Sequence, residues 1–192
     1  MLVMAAVAEE LGDLNGLTVG IGPVVAAATT AALLATHRPA RVVLIGTCGA
    51  YPSNGTPGDA SQTIGAAIVA SRVGLGSGVA ALGLGYVPRP PAAIACDPEL
   101  VAMATVPAKA VLTCPAVTTD EELVNRLGDG WDVEHMEAFG VAWACRAAGV
   151  PFTAILGIAN VVGPDAHVEW LTHREAAQEA ARAAVRPLLA FG

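Results

Sequence analysis

Short apolar runs alternate along the chain with longer segments in which apolar residues recur at helical spacing. Runs of strand length lie at residues 2–7, 17–21, 41–45, 61–70, 108–114 and 153–158. Helical patterns lie at residues 23–37, 119–127, 137–148 and 172–189. Apolar strands that alternate with helices are typical of a sheet covered on both faces. The pattern therefore predicts an α/β fold with a buried, largely parallel sheet.

Local signals fix several element ends. Pro23 stands where the first position of a helix tolerates proline. Asp97, followed by Pro98, has the chemistry of an N-cap and predicts a short helix after it. Gly149 ends the helix at 137–148, and Pro151 follows it. A polar turn is predicted at Glu9 and Glu10, directly after the first strand.

One uncharged stretch, residues 14–37, is long enough to raise the question of a membrane span. Its first half carries Gly16, Gly20, Gly22 and Pro23, and its second half is dominated by alanine and threonine, which contribute little transfer energy. No cluster of Lys or Arg flanks it. We interpret the stretch as a strand, a tight turn and a buried helix, and we expect no membrane partner.

Charge and cysteine content narrow the setting. The 192 residues are 54% hydrophobic and 14% charged, with a net charge of −7 and no basic run, which disfavours a nucleic-acid partner. The four cysteines show neither CxxC pairing nor zinc spacing and are expected to be buried free thiols. The N-terminal residues lack a basic region, so no signal peptide is expected. These features predict a cytoplasmic protein.

The middle of the chain carries the weakest pattern. Residues 74–91 are rich in glycine and proline and predict no definite element, and residues 53–58 are predicted as a loop. No repeat, low-complexity tract or linker interrupts the chain. We therefore expect residues 1–192 to form a single domain.

Glycine-rich turns at strand ends are the first candidates for chemistry. Gly20-Ile21-Gly22 precedes a helix, and Gly46-Thr47-Cys48-Gly49 follows an apolar strand. Backbone N–H groups in such turns can point at an anion or a polar substrate. A GxG alone is weak, because Val25 occupies the third place of the dinucleotide fingerprint. A simple tight turn is the alternative.

Two acidic pairs are the second candidates. Glu9 and Glu10 follow the first strand, where open α/β sheets bind ligands, while Glu134 and Glu137 are predicted at the start of a helix. Capping or solvated carboxylates are the alternative interpretation. Cleavage of a glycosidic bond needs a carboxylate that activates water and polar groups that orient a sugar, and these residues could supply both.

The histidines predict little. His37 and His135 stand alone, and His167 and His173 show no metal-ligand spacing, so surface or capping positions are expected. No Gly-x-Ser-x-Gly elbow is present. Neither a metal nor another cofactor is predicted.

Taken in order, these segments resemble the nucleoside phosphorylase and nucleosidase superfamily over nearly the whole chain. The matching blocks are AVAEE at 6–10, GIGPVVAA at 20–27, IGTCGAYP at 45–52, EHMEA at 134–138, GVPF at 149–152 and GIAN at 157–160. The resemblance implies one nucleoside phosphorylase-like α/β/α domain of three layers around a mixed, largely parallel central sheet. It also implies a homo-oligomer, in which the apolar surplus covers a subunit contact.

Within the superfamily the chain is most similar to futalosine hydrolases, which release hypoxanthine from futalosine in menaquinone biosynthesis. GAYP at 49–52, ACDP at 95–98 and ANVVGP at 159–164 carry this similarity. The runner-up is methylthioadenosine/S-adenosylhomocysteine nucleosidase, whose motif at the last strand is Ser-Asp. Ala159-Asn160 stands here instead, and asparagine can hydrogen-bond a purine but cannot protonate it.

One position favours hydrolysis over phosphorolysis. Phosphorylases of the superfamily have an arginine three residues before the Ser or Thr of the strand-3 turn, and this chain has Leu44 before Thr47. Leucine cannot balance a phosphate dianion, so water is the expected nucleophile.

The resemblance implies a role for each matching residue. Glu10 would activate water and Asn160 would contact the purine, so these two are the expected catalytic residues. Residues expected to bind the nucleoside are Thr47 near the nucleophile, Met136 and Glu137 at the ribose, and Val117 and Thr118 at the base.

Two departures from the family pattern affect the expected activity. Leu156 replaces an arginine usual in nucleosidases, and Ala159 replaces the serine of the last motif. Both changes remove polar groups that would support the site. A homologue that binds nucleosides without turning them over is therefore a further alternative.

Overall fold

The computed structural model describes residues 1–52 and 63–190, which form strands and helices in alternation. The strands are β1 (Leu2–Ala5), β2 (Gly16–Thr18), β3 (Val42–Ala50), β4 (Ala67–Leu75), β5 (Ile94–Ala95), β6 (Ala108–Thr113), β7 (Val133–His135) and β8 (Phe152–Val161). The helices are α1 (Ala8–Leu11), α2 (Pro23–His37), α3 (Gly78–Ala81), α4 (Pro98–Met103), α5 (Glu121–Leu127), α6 (Ala138–Ala148) and α7 (Ala166–Leu189).

The strands form one mixed sheet that curls on itself. β3 pairs in parallel with β8, and β8 pairs antiparallel with β4. β4 pairs in parallel with β6, which pairs in parallel with β7. β7 in turn pairs antiparallel with the end of β3. The remaining strands extend it, with β1 and β2 parallel beside β3 and β5 antiparallel beside β4. The expected mixed, largely parallel sheet is confirmed.

Alternate residues of the strands face two helical layers. In β3, Val42 and Leu44 pack against α2 and α6, whereas Val43 and Ile45 pack against α4 and α7. Because successive strand residues point to opposite faces, a run of buried apolar residues serves both layers. The expected three-layer α/β/α arrangement is confirmed.

Several expected element ends lie where the local signals place them. α2 begins at Pro23 and ends at His37, as predicted. The Asp97 side chain accepts a hydrogen bond from the Leu100 N–H at the start of α4. Gly149 caps α6 in the left-handed conformation, with φ of 68°.

Other boundaries were predicted wrongly. Glu9 and Glu10 lie in the single-turn helix α1 instead of a polar turn. β4 begins at Ala67 because Gly65, with φ of 89°, sits in a turn that separates it from the residues before. The predicted last helix began at residue 172, but α7 begins at Ala166, directly after the Gly163-Pro164-Asp165 segment.

The hydropathy pattern misses two strands, the two-residue β5 and β7, and β7 is the one that belongs to the site. Glu134 lies in this strand and not at a helix start, so that expectation is corrected. The strand has three residues, two of them ionisable, and it is held by pairing with β3 on one side and β6 on the other. Its hydrogen-bond partners are distant in sequence, so no local signal announces it.

The remaining expectations concern the cysteines, the predicted loop and strand at residues 53–70, residues 74–91 and the question of a membrane span. The four cysteines are buried free thiols, as predicted. In residues 74–91 the structure has one short helix, α3, and no strand beyond the end of β4. The predicted loop at 53–58 and the first two residues of the predicted strand at 61–70 lie outside the described residues. Among the described helices, none combines the length and the apolar character needed to cross a membrane.

Candidate active site

The candidate site lies where β1 and β3 end. α1 follows β1 after two residues and brings the Glu10 side chain back over the strand ends. Glu10 Oε2 accepts hydrogen bonds from the N–H groups of Ala6 at 2.9 Å and Val7 at 3.4 Å, and Oε1 accepts one from Thr47 N–H at 3.3 Å. The carboxylate thus occupies the N-terminus of α1 as in half of a capping box.

Burial decides the ionisation of Glu10. The residue is 8% exposed, and burial raises the pKa of its carboxyl group above the usual range. His135 opposes this rise, nearby Glu137 adds to it, and the N–H groups of Ala6 and Val7 oppose it. A carboxylate that is held in place but remains basic has the properties of a general base.

Glu137 is the second buried carboxylate of the site. It directly precedes α6, and its Oε1 accepts a 2.7 Å hydrogen bond from the N–H of Gly22. Gly22 has φ of 87°, a conformation that other residues rarely adopt, and it caps the start of α2. Burial raises the pKa of Glu137, and the Gly22 N–H lowers it. The Gly-x-Gly-Pro turn therefore binds an anion, and that anion is a side chain of the protein.

His135 lies between the two carboxylates, which corrects the expectation of a surface position. It is 4% exposed, and its Nδ1 accepts hydrogen bonds from the N–H groups of Glu137 at 3.0 Å and Ala138 at 3.1 Å. The expected capping function is present. Burial lowers the pKa of His135 to about 4, so the ring is neutral at pH 7. The 3.5 Å distance from Nδ1 to Glu137 Oε2 is therefore not an ion pair.

Thr47 joins the site to α7. Its N–H contacts Glu10, and its Oγ1 accepts a 3.1 Å hydrogen bond from the indole N–H of Trp170. The Arg174 guanidinium lies 5.0 Å from the Trp170 ring centroid, and the His167 ring stacks on the same indole at 6.1 Å. α7 thus presents an aromatic and cationic face beside Thr47.

Asn160 ends up farther along the same edge of the sheet. It pairs with Gly49 across β3 and β8, after a bulge that begins between Cys48 and Gly49. A Cβ on Gly49 would stand 2.7 Å from Asn160 Nδ2, so glycine is required for this approach. Nδ2 donates a 3.0 Å hydrogen bond to the carbonyl of Val161. Gly49 lies three residues beyond Gly46 in an extended strand, so the Cα atoms of these two glycines are roughly 10 Å apart.

Thr118, one of the two residues expected to bind the purine base, is hydrogen-bonded to a third carboxylate, that of Glu134. Glu134 accepts hydrogen bonds from Thr118 N–H at 2.9 Å, from Thr118 Oγ1 at 2.6 Å and from the Tyr51 hydroxyl at 2.8 Å. The Thr118 side chain is therefore engaged within the protein, while Val117 is 49% exposed. Met136 is half-buried in the chain between His135 and Glu137.

Three apolar residues occupy positions at which the resemblance implied polar side chains in the family. Leu44, Leu156 and Ala159 are all fully buried. Leu156 pairs with Gly46 across β3 and β8, so it lies beside the strand position that faces Glu10. No charged side chain could stand at these positions without a buried partner.

The structure thus brings Glu10, Thr47 and Glu137 together, with Asn160 farther along the edge. Sequence analysis missed His135 and Trp170. His135 had a signal, because it stands between acidic residues directly before the Met-Glu pair. Trp170 is one of three tryptophans in a chain with 4% aromatic residues, and it follows the Asn160 motif closely.

Comparisons with known proteins identify the family of the chain. Residues 14–191 match the family described as Phosphorylase superfamily. A 5'-methylthioadenosine/S-adenosylhomocysteine nucleosidase of Geobacillus sp. (strain WCH70) is 31% identical over an alignment of 193 positions, which covers 88% of this chain and 78% of that protein.

Solved structures share the fold. A futalosine hydrolase mutant of Helicobacter pylori strain 26695 superimposes with a TM-score of 0.84 at 16% identity, covering 99% of this chain and 98% of the other. A 5'-methylthioadenosine/S-adenosylhomocysteine nucleosidase of Colwellia psychrerythraea 34H in complex with adenine gives 0.80 at 23% identity, covering 98% and 93%. The chain therefore belongs to the phosphorylase superfamily and is related to its nucleosidases.

Proposed function

We propose that the protein is a nucleosidase that hydrolyses the N-glycosidic bond of a purine nucleoside, with Glu10 as the general base. One observation carries the proposal: Glu10 is a buried carboxylate of raised pKa, held by backbone N–H groups beside a second buried carboxylate, Glu137. Two such carboxylates at strand ends suit the hydrolysis of a glycosidic bond.

In this mechanism the C1'–N bond of the ribose breaks as a water oxygen bonds to C1'. The electron pair of the C1'–N bond leaves with the purine, Glu10 takes one proton of the water, and the departing purine anion is protonated by solvent. The negative charges of Glu10 and Glu137 stabilise the oxocarbenium character of the ribose. Glu137 Oε1 binds the Gly22 N–H, and within residues 1–52 and 63–190 no backbone N–H donates to Oε2. Oε2 is therefore the oxygen that accepts from the ribose hydroxyls, with Met136 packed on the sugar. Thr47 lies beside the nucleophile, and Asn160, with Val117 and Thr118, contacts the purine.

Water is the proposed nucleophile because the site offers phosphate no cation at the strand-3 position. Leu44 is fully buried among apolar residues of β3 and its neighbours. A phosphate dianion there would lose its hydration without gaining a charged partner.

Futalosine is the first proposed substrate. The amide of Asn160 can hold a purine nitrogen by a hydrogen bond but has no acidic proton to give. Hypoxanthine carries an electron-withdrawing 6-carbonyl and leaves as an anion more readily than adenine does. The absence of an acid at position 160 therefore impairs hypoxanthine release less than adenine release.

Methylthioadenosine and S-adenosylhomocysteine are the second proposed substrates. The specific observation in their favour is the 31% identity with a nucleosidase named for these two compounds. The same scaffold could also bind nucleosides without hydrolysis, because Leu156 and Ala159 remove polar groups near the strand ends.

One assay separates these functions. Purified protein is incubated with futalosine, methylthioadenosine, S-adenosylhomocysteine and inosine, with and without phosphate, and the released base is separated by chromatography. We expect hypoxanthine from futalosine without phosphate. Adenine release would identify the second candidate, a requirement for phosphate would overturn hydrolysis, and binding without release would identify the inactive homologue.

Glu10→Gln tests the proposed base, and Glu9→Gln is its matched control. Glu9 is exposed and adjacent in sequence, so it receives the same chemical change without a place in the site. We expect Glu10→Gln to abolish turnover with a retained circular dichroism spectrum, and Glu9→Gln to match wild type. Near-normal turnover by Glu10→Gln would show that another group is the base.

Three expectations accompany the proposed function. Residues 1–192 are proposed to form one domain, which a single calorimetric transition would support. Self-association is proposed from the apolar surface on α2, where Val24 is 79% exposed, and on α6, where Trp143 is 43% exposed. Sedimentation velocity measures it. A cytoplasmic location, with a nucleoside as small-molecule partner, is proposed as well.

A further inference from the structure

The tautomer of His135 follows from its two backbone contacts. The N–H groups of Glu137 and Ala138 both point at Nδ1, at 3.0 and 3.1 Å. An atom that accepts two hydrogen bonds carries no proton of its own, and a neutral imidazole has one N–H. The proton of His135 therefore resides on Nε2.

The Nε2–H group faces Glu10 across Gly46. A Cβ built on Gly46 would lie 2.9 Å from Glu10 Oε1 and 3.2 Å from His135 Nε2, so both side chains meet over this glycine. Within residues 1–52 and 63–190, Nε2 has no hydrogen-bond partner in the protein. No nitrogen of the described side chains is both fully buried and unpaired, so Nε2 is not fully buried. The donor is thus available to a group bound beside Glu10.

The space over Gly46, where the Glu10 and His135 side chains meet, is next to Leu156. Register pairs Gly46 with Leu156 across β3 and β8, and both residues belong to the face that packs towards α2 and α6. Leu156 offers no polar atom there. The imidazole of His135 therefore supplies an N–H to a part of the site in which the neighbouring strand supplies none.

We propose that His135 is a positioning residue for the reaction: its Nε2–H donates a hydrogen bond to the water bound beside Glu10 and so orients this water against the carboxylate that activates it. The proton stays on Nε2 throughout, so no proton transfer is involved. The inference rests on the proposed function. It explains how a chain with Leu156 at this position can still hold its water in a productive geometry.

Two substitutions separate this function from the capping function. The side-chain oxygen of His135→Asn can accept at the place of Nδ1 but cannot reach that of Nε2. The longer amide of His135→Gln can donate near the place of Nε2 but no longer caps α6. If His135 only caps the helix, Asn should be the better replacement. If His135 positions the water beside Glu10, Gln should be the better replacement.

We expect His135→Asn to retain the wild-type Tm and to lose about 10- to 100-fold in kcat, with KM changed little, because the water beside Glu10 is then misplaced. His135→Gln should have a Tm lower by about 2–4 °C, for the loss of one cap, and the higher kcat of the two. Wild-type kcat in His135→Asn, or equal losses in both variants, would overturn the proposal.

A measurement that needs no turnover keeps the inference distinct from the proposed function. In protein labelled with ¹⁵N-histidine, the two ring nitrogens of His135 report the tautomer directly. The charged groups that face the ring are Glu10 and Glu137. Arg182 of α7 contacts the backbone carbonyls of Glu9 and Glu10, and its charge is paired with Glu179.

We expect a protonated Nε2 whose shift moves as Glu10 ionises, and no such movement in Glu10→Gln. A protonated Nδ1, or a shift that is independent of Glu10, would overturn the inference even if the protein is an active nucleosidase. The expected spectrum from a protein without activity on the four nucleosides would instead leave the geometry intact and overturn the proposed function.

Discussion

Gly46→Ala perturbs the candidate site without altering any of its polar groups. A Cβ at this position would lie 2.9 Å from Glu10 Oε1 and 3.2 Å from His135 Nε2. Ordinary van der Waals contact begins at 3.4 Å, so the carboxylate must retreat by about 0.5 Å and the ring by less. Gly46 has no positive φ in the structure, so alanine meets no backbone strain there.

Gly46→Ala is expected to cost little stability but much of the catalytic rate. Extra volume in a packed core costs about 1–3 kcal/mol, and the lower end applies here because the crowded atoms are the ends of side chains. In a chain of this size about 1 kcal/mol lowers Tm by about 2–4 °C. A displacement of up to 1 Å at a catalytic group can cost about 100-fold in rate. We therefore expect kcat/KM to fall about 10- to 100-fold with little loss of stability.

Calorimetry and initial rates of base release measure the two effects in the same preparation. Gly74→Ala is the matched control, because its Cβ would stand within 2.5 Å of two atoms of the Trp131 ring, remote from Glu10. We expect this control to lose more stability than Gly46→Ala and to keep wild-type kcat/KM per folded molecule. If Gly46→Ala stays within twofold of wild-type kcat/KM, Glu10 and His135 do not need their observed geometry, and the reasoning is refuted.

Three further predictions follow from the site. The acid limb of the kcat/KM profile should lie above pH 4.5, because burial raises the pKa of Glu10 and the base must be ionised; a limb at or below 4.5 would contradict this. Glu137→Gln should have a higher Tm than wild type at pH 7 and no advantage near pH 4. Because the pKa of Glu137 is raised in the folded protein, its carboxyl group contributes stability only below the unfolded pKa, and this contribution is lost as pH rises through the folded pKa. A Tm difference between the variant and wild type that does not depend on pH would be evidence against this reasoning. Trp170→Phe keeps an aromatic ring but loses the bond to Thr47 Oγ1, so Tm should fall by about 2–4 °C. Thr47→Val in the same background should then cost less than it does alone, and additive losses would exclude the bond.

The parts of the fold that the sequence predicts well are those set by neighbouring residues. α2 begins where Pro23 follows a glycine of positive φ, and Asp97 caps α4 through its own side chain. Both signals lie within a few residues of the element end that they determine. Leu44 and Val43 likewise indicate a strand buried on both faces by their apolar character alone.

β7 and its hydrogen bonds could not be predicted in this way. Glu134 is buried because Thr118 and Tyr51 donate to it, from 16 and 83 residues away in sequence. His135 is buried because β3 and β6 flank its strand. A short polar segment reads as exposed until its partners are known, so the sequence pointed to Glu10 and Glu137 but not to the histidine between them.

The neutral character of the groups that hold Glu10 explains why the site suits a base. Backbone N–H groups fix the carboxylate, and in the described part of the chain His135 and Glu137 are the ionisable side chains that act on its pKa. A lysine or arginine in contact would fix the carboxylate equally well but would lower its pKa and weaken it as a base. Backbone N–H groups avoid that loss, since they donate hydrogen bonds without a full positive charge, and the His135 ring beside them is neutral at pH 7. Leucine at position 156 fits this arrangement, because it adds no positive charge beside the strand position that faces Glu10.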